Sequence, residues 1–247
     1  MCIAVYLPKG KKLSKEKFFQ CHDSNPDGFG LMFARNGKIL IHKTLESAES
    51  AYADYKRISK GPAKGQNMVL HFRIATHGSV NKENCHPFRI DERLALVHNG
   101  IIHAVDTRKY KDMSDTRVFA KEILAKLPLF FEWEDSIKRL IEEFIGHSKL
   151  IILDDEGMAH IFNEHKGEWV DGMWFSNNSH CPVPAPFKLP AKFRSHAPLS
   201  KAEKKALRRP SKQSAQKPGP VKNVTKAYKT ANYRTTQKNF WTAEDEK

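Results

Sequence analysis

Short blocks of apolar and polar residues alternate along the first 180 residues, and several blocks are typical of β-strands. A β-rich run covers residues 2–7 and ends at Pro8-Lys9-Gly10, a sequence that favours a break in the chain. Two more strand-like segments flank Asn36-Gly37, a dipeptide typical of two-residue hairpin turns. Apolar runs predict further strands at 68–75 and 94–102.

Helices are predicted between these strands. One is expected at 45–58, and a second at 115–127, where Ser114 is a good N-cap residue. A third is expected at 133–145, because apolar residues recur there at helical spacing, and Gly146 is well placed to end it. The pattern therefore contains helices as well as strands, but not in strict alternation.

Two later turns, Glu156-Gly157 and Asp171-Gly172, predict two more hairpins. We expect the aromatic residues of the last hairpin, Trp169, Trp174 and Phe175, to close the core of a sheet. Strands that come in antiparallel hairpins, with helices grouped between them, predict an α+β fold in which helices are layered on antiparallel sheets. No repeat with a period of 20–50 residues is present.

The composition changes at about residue 192, which divides the chain into a domain at 1–191 and a low-complexity tail at 192–247. The formal net charge is +14, and the tail carries 15 Lys and Arg against 4 acidic residues. Interspersed aromatic residues make a nucleic acid or another anionic partner one hypothesis for this tail. A disordered, solvated extension and a docking strap for a partner are the alternatives, and the sequence does not separate them.

The four cysteines are widely spaced and form no Cys-x-x-Cys pair, so neither a disulfide framework nor a zinc ribbon is predicted. Three neighbouring Cys–His pairs, 21–22, 85–86 and 180–181, also lack zinc spacing, and no metal site is expected. No apolar run reaches the roughly 20 residues that span a bilayer. These features predict a cytoplasmic protein without a membrane partner.

Cys2 is the first candidate for chemistry. Removal of Met1 would expose it as the N-terminal residue, with a free amine whose pKa is about 7.7–8.0. One residue then supplies both a thiol nucleophile and the base that activates it. The alternative is that Cys2 is merely a small residue at the beginning of a strand.

Three other segments carry polar residues suited to binding. Strand 68–75 leads into a loop that contains Arg73, Thr76 and His77. His98-Asn99-Gly100 interrupts an apolar run, and an Asn amide beside a Gly backbone N–H can bind an oxyanion, although a hairpin turn also explains this dipeptide. Ser114-Asp115-Thr116 begins a predicted helix, and capping alone explains it.

Taken together and in this order, the segments resemble the glutaminase domain of class II glutamine amidotransferases. This family includes glucosamine-6-phosphate synthase, glutamine phosphoribosylpyrophosphate amidotransferase and asparagine synthetase. The resemblance covers residues 2–180 and is carried by Cys2, RIATHG, LVHNGII and SDT. NPDGFG at 25–30 also resembles a glycine-rich segment of some stand-alone members. The resemblance implies the N-terminal nucleophile hydrolase fold, a four-layer αββα sandwich of two antiparallel sheets.

The resemblance also implies a role for each matching residue. Cys2 would attack the carboxamide of glutamine, and Asn99 with the Gly100 N–H would form the oxyanion hole. Glutamine would be bound by Arg73 at its α-carboxylate, by Asp115 at its α-ammonium, and by Thr76 and His77 along the pocket. No cofactor is implied.

This sequence departs from the family pattern in two ways. Ile74 stands where glucosamine-6-phosphate synthase has a tryptophan, and no synthase domain follows the glutaminase-like region. We therefore expect a glutaminase subunit that supplies ammonia to an acceptor on a separate synthetase subunit. The first alternative is a catalytically degenerate hydrolase fold that binds nucleic acid or acts as a scaffold through its tail. The second keeps the nucleophile and changes the substrate to another amide.

Overall fold

The computed structural model describes residues 2–75, 80–110 and 112–181. Its ten strands and four α-helices are β1 (Ile3–Leu7), α1 (Lys15–Ser24), β2 (Phe29–Arg35), β3 (Lys38–Thr44), α2 (Ala48–Lys60), β4 (Met68–Phe72), β5 (Phe88–Arg89), β6 (Leu94–Asn99), α3 (Asp115–Glu122), α4 (Asp135–Ile145), β7 (Lys149–Asp154), β8 (Ala159–Phe162), β9 (Glu168–Val170) and β10 (Met173–Phe175). Short 3-10 turns lie at Leu124–Lys126, Phe131–Trp133 and Glu164–Lys166. The boundary predicted between 191 and 192, and the whole tail, lie outside the described residues.

The strands form two antiparallel sheets. One has six strands in the order β3-β2-β4-β1-β10-β9, and the other has four in the order β5-β6-β7-β8. All of the strand pairs are antiparallel. β1 lies inside the larger sheet, between β4 and β10.

Three apolar clusters make this a four-layer sandwich. The first joins the six-stranded sheet to α1 and α2, and the second joins the four-stranded sheet to α3 and α4. The third fills the space between the two sheets. Each central strand is therefore buried on both faces, which explains its continuous apolar sequence. The predicted α+β fold and αββα layering are confirmed.

Side chains alternate between these clusters along each strand, as the pleat requires. In β1, Ile3 and Val5 face the helices, whereas Ala4 faces the other sheet. In β6, Leu96 faces the helices and Val97 faces the other sheet. The same alternation decides which polar side chains point into the space between the sheets.

The predicted hairpin turns are confirmed. Asn36 and Gly37 both have positive φ, 53° and 66°, and so do Asp171 and Gly172, 54° and 73°. These are the conformations that type I′ turns need, and Asn, Asp and Gly adopt them at the least cost. Gly157, with φ 88°, lies in the turn between β7 and β8.

Several predicted boundaries need correction. The helix expected at 45–58 is Ala48–Lys60, because the side chain of Ser47 accepts a hydrogen bond from the Ser50 N–H and caps it. The helix expected at 115–127 ends at Glu122 and continues as a 3-10 turn. The helix expected at 133–145 begins at Asp135 after another 3-10 turn. The apolar periodicity continues through these 3-10 turns, so both predicted helices were too long.

Two strands are shorter than predicted, and one helix was not predicted. The strands expected at 68–75 and 94–102 end at Phe72 and Asn99, where the chain leaves each sheet. Helix α1, Lys15–Ser24, was missed although Ser14 caps it, because its core-facing residues are few. Trp169 is also corrected, since it is 49% exposed on edge strand β9, while Trp174 and Phe175 are buried as expected.

No helix among the described residues is long and apolar enough to cross a membrane.

Phe18 is the centre of an aromatic cluster under the larger sheet. Its ring lies 4.9–5.4 Å from the ring centroids of Phe29, Tyr52, Tyr55 and Phe72, and it is fully buried. We predict that Phe18→Ala lowers the free energy of unfolding by about 3–5 kcal/mol, because it leaves a cavity in the core. Urea unfolding followed by circular dichroism measures this change. The control is Phe19→Ala, at a half-buried neighbour, and an equal loss in both variants would contradict the prediction.

Candidate active site

Cys2 immediately precedes β1, and the position of β1 in the sheet fixes its place. Ile3 pairs with Phe72 of β4, so Cys2 lies opposite the residues that follow β4. The Cys2 Sγ lies 3.4 Å from the Ile74 backbone N, which donates to it, and 3.4 Å from the Ile74 carbonyl oxygen. The Asn177 side-chain amide also donates to the Cys2 carbonyl oxygen at 2.7 Å. The residue is therefore fixed on two sides.

The surroundings of Cys2 affect its ionisation in opposite directions. Burial raises the pKa of its thiol, and the hydrogen bond from Ile74 and the positive charges of the chain terminus and Arg73 lower that pKa. Burial is the largest effect, so the net pKa is raised. The thiol therefore needs a base to become a nucleophile at neutral pH.

Arg73 is held in the interior by its backbone. It is only 3% exposed, its N–H donates to the Gly28 carbonyl oxygen at 2.8 Å, and its carbonyl accepts from the Asp27 N–H at 2.9 Å. The Asp27 carboxylate in turn accepts from the Ala75 N–H at 2.7 Å. The NPDGFG segment thus clamps the chain from Arg73 to Ala75, a role for Asp27 that the sequence analysis did not identify.

Asp115 is oriented by backbone amides. The Ile102 N–H donates to its Oδ2 and the Thr116 N–H to its Oδ1, both at 2.7 Å. The neighbouring Ser114 accepts from the Arg117 N–H at 3.2 Å and caps helix α3. Capping therefore explains Ser114, whereas the carboxylate of Asp115 lies in the wall of a cavity.

A cavity of about 30 Å³ brings the two charged residues together. Arg73 and Asp115 line it, together with Ile74, Gly100 and polar side chains that include His86. A fixed cation and a fixed anion in one cavity match the two charges of an amino-acid head group.

Asn99 is the last residue of β6, and Gly100 follows it. β6 pairs with β5 and β7, and the chain leaves the sheet after Asn99, so the hairpin turn considered for this dipeptide is wrong. Gly100 has φ +143°, and a Cβ there would lie 2.2 Å from the Ser148 Oγ. Only glycine meets both conditions.

The Asn99 amide is buried beside another strand. Asn99 is 1% exposed, and its Nδ2 lies 2.8 Å from the Ser176 Oγ. Its Oδ1 has no hydrogen-bond partner among the described residues. The Ala4 N–H also donates to the Ser176 Oγ, at 2.9 Å. The Ser176 hydroxyl therefore links Asn99 to strand β1.

The other predicted pocket residues, Thr76 and His77, lie outside the described residues, so their roles stay predictions. The structure brings together Cys2, Arg73, Asn99, Gly100 and Asp115 at one end of the sandwich.

Three buried histidines, two of which line the cavity, were not predicted as site residues. Their order is His71, His86 and His98, with ring centroids 4.1 Å apart for the first pair and 6.4 Å for the second. Burial lowers the pKa of His71 to about 3 and of His98 to about 4, and it holds that of His86 well below its usual value. All three rings are therefore neutral at physiological pH.

His98 connects to Asp115 through Thr116. The Thr116 hydroxyl lies 3.2 Å from the Asp115 Oδ1 and donates to it, so the His98 Nδ1 donates to that hydroxyl at 2.8 Å. The His71 Nε2 donates to the His98 carbonyl oxygen at 3.0 Å. The only sign of the bond from His98 to Thr116 in the sequence was a histidine within an apolar strand. A buried histidine with a purely structural role gives the same sign, so the sequence did not indicate this contact.

The described residues contain no group of three or more His, Cys, Asp or Glu arranged to hold a metal ion. The three Cys–His pairs thus give no metal site within this part of the chain, and all four cysteines are free thiols.

Part of the chain matches a known protein family. Residues 14–124, a little under half of the chain, match the family model described as class-II glutamine amidotransferases. The resemblance to class II glutamine amidotransferases is confirmed. The matched region contains Arg73, Asn99, Gly100 and Asp115, and it begins after Cys2.

Curated relatives and solved structures agree with this family. The chain is 28% identical over 156 residues to a glutamine–fructose-6-phosphate aminotransferase of Photorhabdus laumondii, covering 57% of this chain and 24% of that protein. It is 31% identical over 128 residues to the protein of the same name from Buchnera aphidicola, covering 45% and 20%. The chain thus spans about a quarter or less of the length of these relatives.

The glutamine phosphoribosylpyrophosphate amidotransferase of B. subtilis has a similar fold. Its TM-score is 0.50 at 18% identity, and the match covers 73% of this chain and 42% of that chain. At this identity the likeness concerns the fold alone, and it supports the N-terminal nucleophile hydrolase architecture.

Proposed function

We propose that this chain is the glutaminase subunit of a class II glutamine amidotransferase, hydrolysing glutamine to glutamate and ammonia. The observation that carries the proposal is the position of the Cys2 thiol, which contacts Ile74 beside a cavity lined by Arg73 and Asp115. A nucleophile next to paired fixed charges suits an amide substrate that has an α-amino acid head.

The first chemical step needs a base. Because burial raises the pKa of the Cys2 thiol, the free amine of a Cys2 exposed by loss of Met1 is the group suited to take its proton. The sulfur then bonds to the amide carbon of glutamine, and the carbonyl oxygen becomes an oxyanion. Asn99 and the Gly100 N–H stabilise that oxyanion.

The second step releases ammonia. The protonated amine gives its proton to the leaving nitrogen, the carbon–nitrogen bond breaks, and a thioester with Cys2 remains. Water adds to the thioester and loses a proton to the amine, and cleavage of the carbon–sulfur bond returns the thiol and glutamate. Atoms balance as glutamine and water giving glutamate and ammonia.

Two charged residues bind the head group of glutamine in this proposal. Arg73 takes the α-carboxylate and Asp115 the α-ammonium, with Thr76 and His77 as further pocket residues.

Ammonia passes to an acceptor on a separate synthetase subunit in this proposal. An acceptor is supported by the match to proteins named glutamine–fructose-6-phosphate aminotransferase, of whose length the chain covers about a quarter. Four free thiols fit a reducing cytoplasm. The alternative, a scaffold that binds nucleic acid through the tail, depends on residues outside the described part of the chain, and the comparisons give it no support.

The direct test is glutamine hydrolysis by the purified chain, measured as glutamate formed. We expect turnover in the wild type, none in Cys2→Ala, and full turnover in Cys181→Ala, which removes an exposed thiol. Turnover should rise from about pH 7 to 9, since the amine accepts a proton only when it is deprotonated and its pKa is about 7.7–8.0. Hydrolysis by a folded Cys2→Ala protein would disprove the mechanism.

Asp115→Asn tests the binding role. It keeps the shape of the side chain and removes the charge that pairs with the α-ammonium, so we predict that the KM for glutamine rises about 10- to 100-fold. We expect kcat to change by less than about threefold. The control is Asp106→Asn, which changes a carboxylate paired with exposed Arg108. An unchanged KM in Asp115→Asn would show that this residue does not bind the head group.

A further inference from the structure

Ser176 holds a position between the two sheets that the proposed mechanism does not use. It follows β10, and it is fully buried. Its backbone N–H donates to the Ala4 carbonyl oxygen at 3.0 Å, and its Oγ accepts from the Ala4 N–H at 2.9 Å. The same Oγ lies 2.8 Å from the amide of Asn99, on the other sheet. One hydroxyl thus contacts both the strand of the nucleophile and the strand of the oxyanion residue.

The hydrogen-bond capacity of this hydroxyl constrains the Asn99 amide. A serine hydroxyl has one proton to donate and two lone pairs to accept with. If it accepts from both Ala4 N–H and Asn99 Nδ2, its own proton has no acceptor among the described residues, and the buried Asn99 Oδ1 is also unpaired. Buried polar groups are rarely left unpaired in this way.

A half-turn of the amide pairs the Ser176 proton and the Asn99 Oδ1 with each other, and it leaves the Asn99 Nδ2 as the group that awaits a partner. The oxygen and nitrogen of an Asn amide have nearly the same shape, so the turn keeps the 2.8 Å separation from Ser176. The Ser176 hydroxyl then accepts from the Ala4 N–H and donates to the Asn99 Oδ1. The Asn99 Nδ2 moves to the side away from Ser176, where it is available to another acceptor.

Strand alternation indicates that the Asn99 Nδ2 and the Cys2 side chain share one face of the site. Ala4 faces the other sheet, and Cys2, two residues earlier, lies on the same face of the chain. Val97 also faces the space between the sheets, and so does Asn99, two residues later. Asn177, the neighbour of Ser176, donates to the Cys2 carbonyl oxygen at 2.7 Å. Alternation thus directs the side chains of Cys2 and Asn99 toward the space between the two sheets.

We infer that Ser176 is a positioning residue, whose hydroxyl accepts from the Ala4 N–H and donates to the Asn99 Oδ1 and so directs the Asn99 Nδ2 toward the oxyanion. This inference rests on the proposed function. It adds a residue that touches no substrate and acts through Asn99. It also makes one hydroxyl the link that sets the oxyanion donor relative to the nucleophile.

Kinetics of a double-mutant cycle test the inference. We predict that Ser176→Ala lowers kcat about 10- to 100-fold and changes KM by less than about threefold, because the loss concerns the transition state. Asn99→Ala should lose as much or more. In Asn99→Ala, adding Ser176→Ala should cost less than about threefold further, since the residue through which Ser176 acts is already gone. Ser176→Thr, which keeps the hydroxyl, should recover most of the activity.

The contrary results are equally specific. Losses that multiply in the double variant would show that Ser176 acts through Ala4 and β1 or through general stability, and the inference would be wrong. A raised KM with unchanged kcat would also contradict it. Thermal unfolding of each variant separates lost activity from lost folding, and Ser176→Thr keeps the test open if Ser176→Ala does not fold.

A structural measurement separates this inference from the proposed function. Neutron diffraction from crystals of the deuterated wild-type chain locates the hydroxyl deuteron whether or not the chain hydrolyses glutamine. We expect it on the line from Ser176 Oγ to Asn99 Oδ1. Deuterons of the Asn99 Nδ2 pointing at the Ser176 Oγ would overturn the inference. A chain with the expected orientation and no turnover would refute the proposed function alone.

Discussion

The antiparallel pairing of β1 between β4 and β10 is the constraint on which the site depends. An ordinary N-terminus frays, because nothing pairs with the first residues of a chain. Here the strand begins at Ile3 and pairs with a strand on each side, so the residue before it adjoins a paired strand. The register with β4 then places Cys2 against Ile74. The Cys2 thiol thereby has a defined position relative to Ile74.

The second requirement is that the interior stabilises the charges of Arg73 and Asp115. Arg73 is almost fully buried, and Asp115 shares its cavity. Charges in such surroundings need hydrogen bonds or partners, because leaving water costs several kcal/mol for each ion. Backbone amides of Ile102 and Thr116 supply them to Asp115, and neutral His98 adds a bond through Thr116. The carboxylate is thus stabilised and aimed before any ligand arrives.

The two-sheet architecture brings together site residues that come from different sheets. Each sheet contributes a different part, with Cys2 and Arg73 from the larger sheet and Asn99 from the smaller one. Packing between the sheets therefore sets the distance between Cys2 and Asn99, the proposed nucleophile and the proposed oxyanion donor. The Ser176 hydroxyl lies at that junction, and Ser176 is fully buried.

Sequence patterns predicted helices layered on antiparallel sheets because hairpins and helices depend on local rules, whereas the four-layer arrangement was implied by the family resemblance. Type I′ turns at Asn36-Gly37 and Asp171-Gly172 need residues that tolerate positive φ, and such residues stand out in a sequence. Arg73 and Asp115 were identified because their motifs resemble those of a family. Helix α1 was missed because its few core-facing residues give weak periodicity.

Residues that act through tertiary contacts could not be predicted. Asp27 clamps Ala75 across 48 positions, and Ser176 reaches Asn99 across 77. Nothing in the neighbouring sequence of either residue indicates its partner. His98 was quoted within its motif, but its bond to Thr116 depends on how β6 packs against α3. Trp169 was expected in the core because its edge position in the sheet follows only from strand order.

The most direct test of the central claim is the intact mass of the chain with and without 6-diazo-5-oxo-L-norleucine, a glutamine analogue that alkylates a catalytic thiol. We expect loss of Met1 and a single adduct that peptide mapping assigns to Cys2, with Cys21, Cys85 and Cys181 unmodified. Excess glutamine should slow the labelling. A chain that keeps Met1 and takes no adduct, or one labelled at another cysteine, would contradict it.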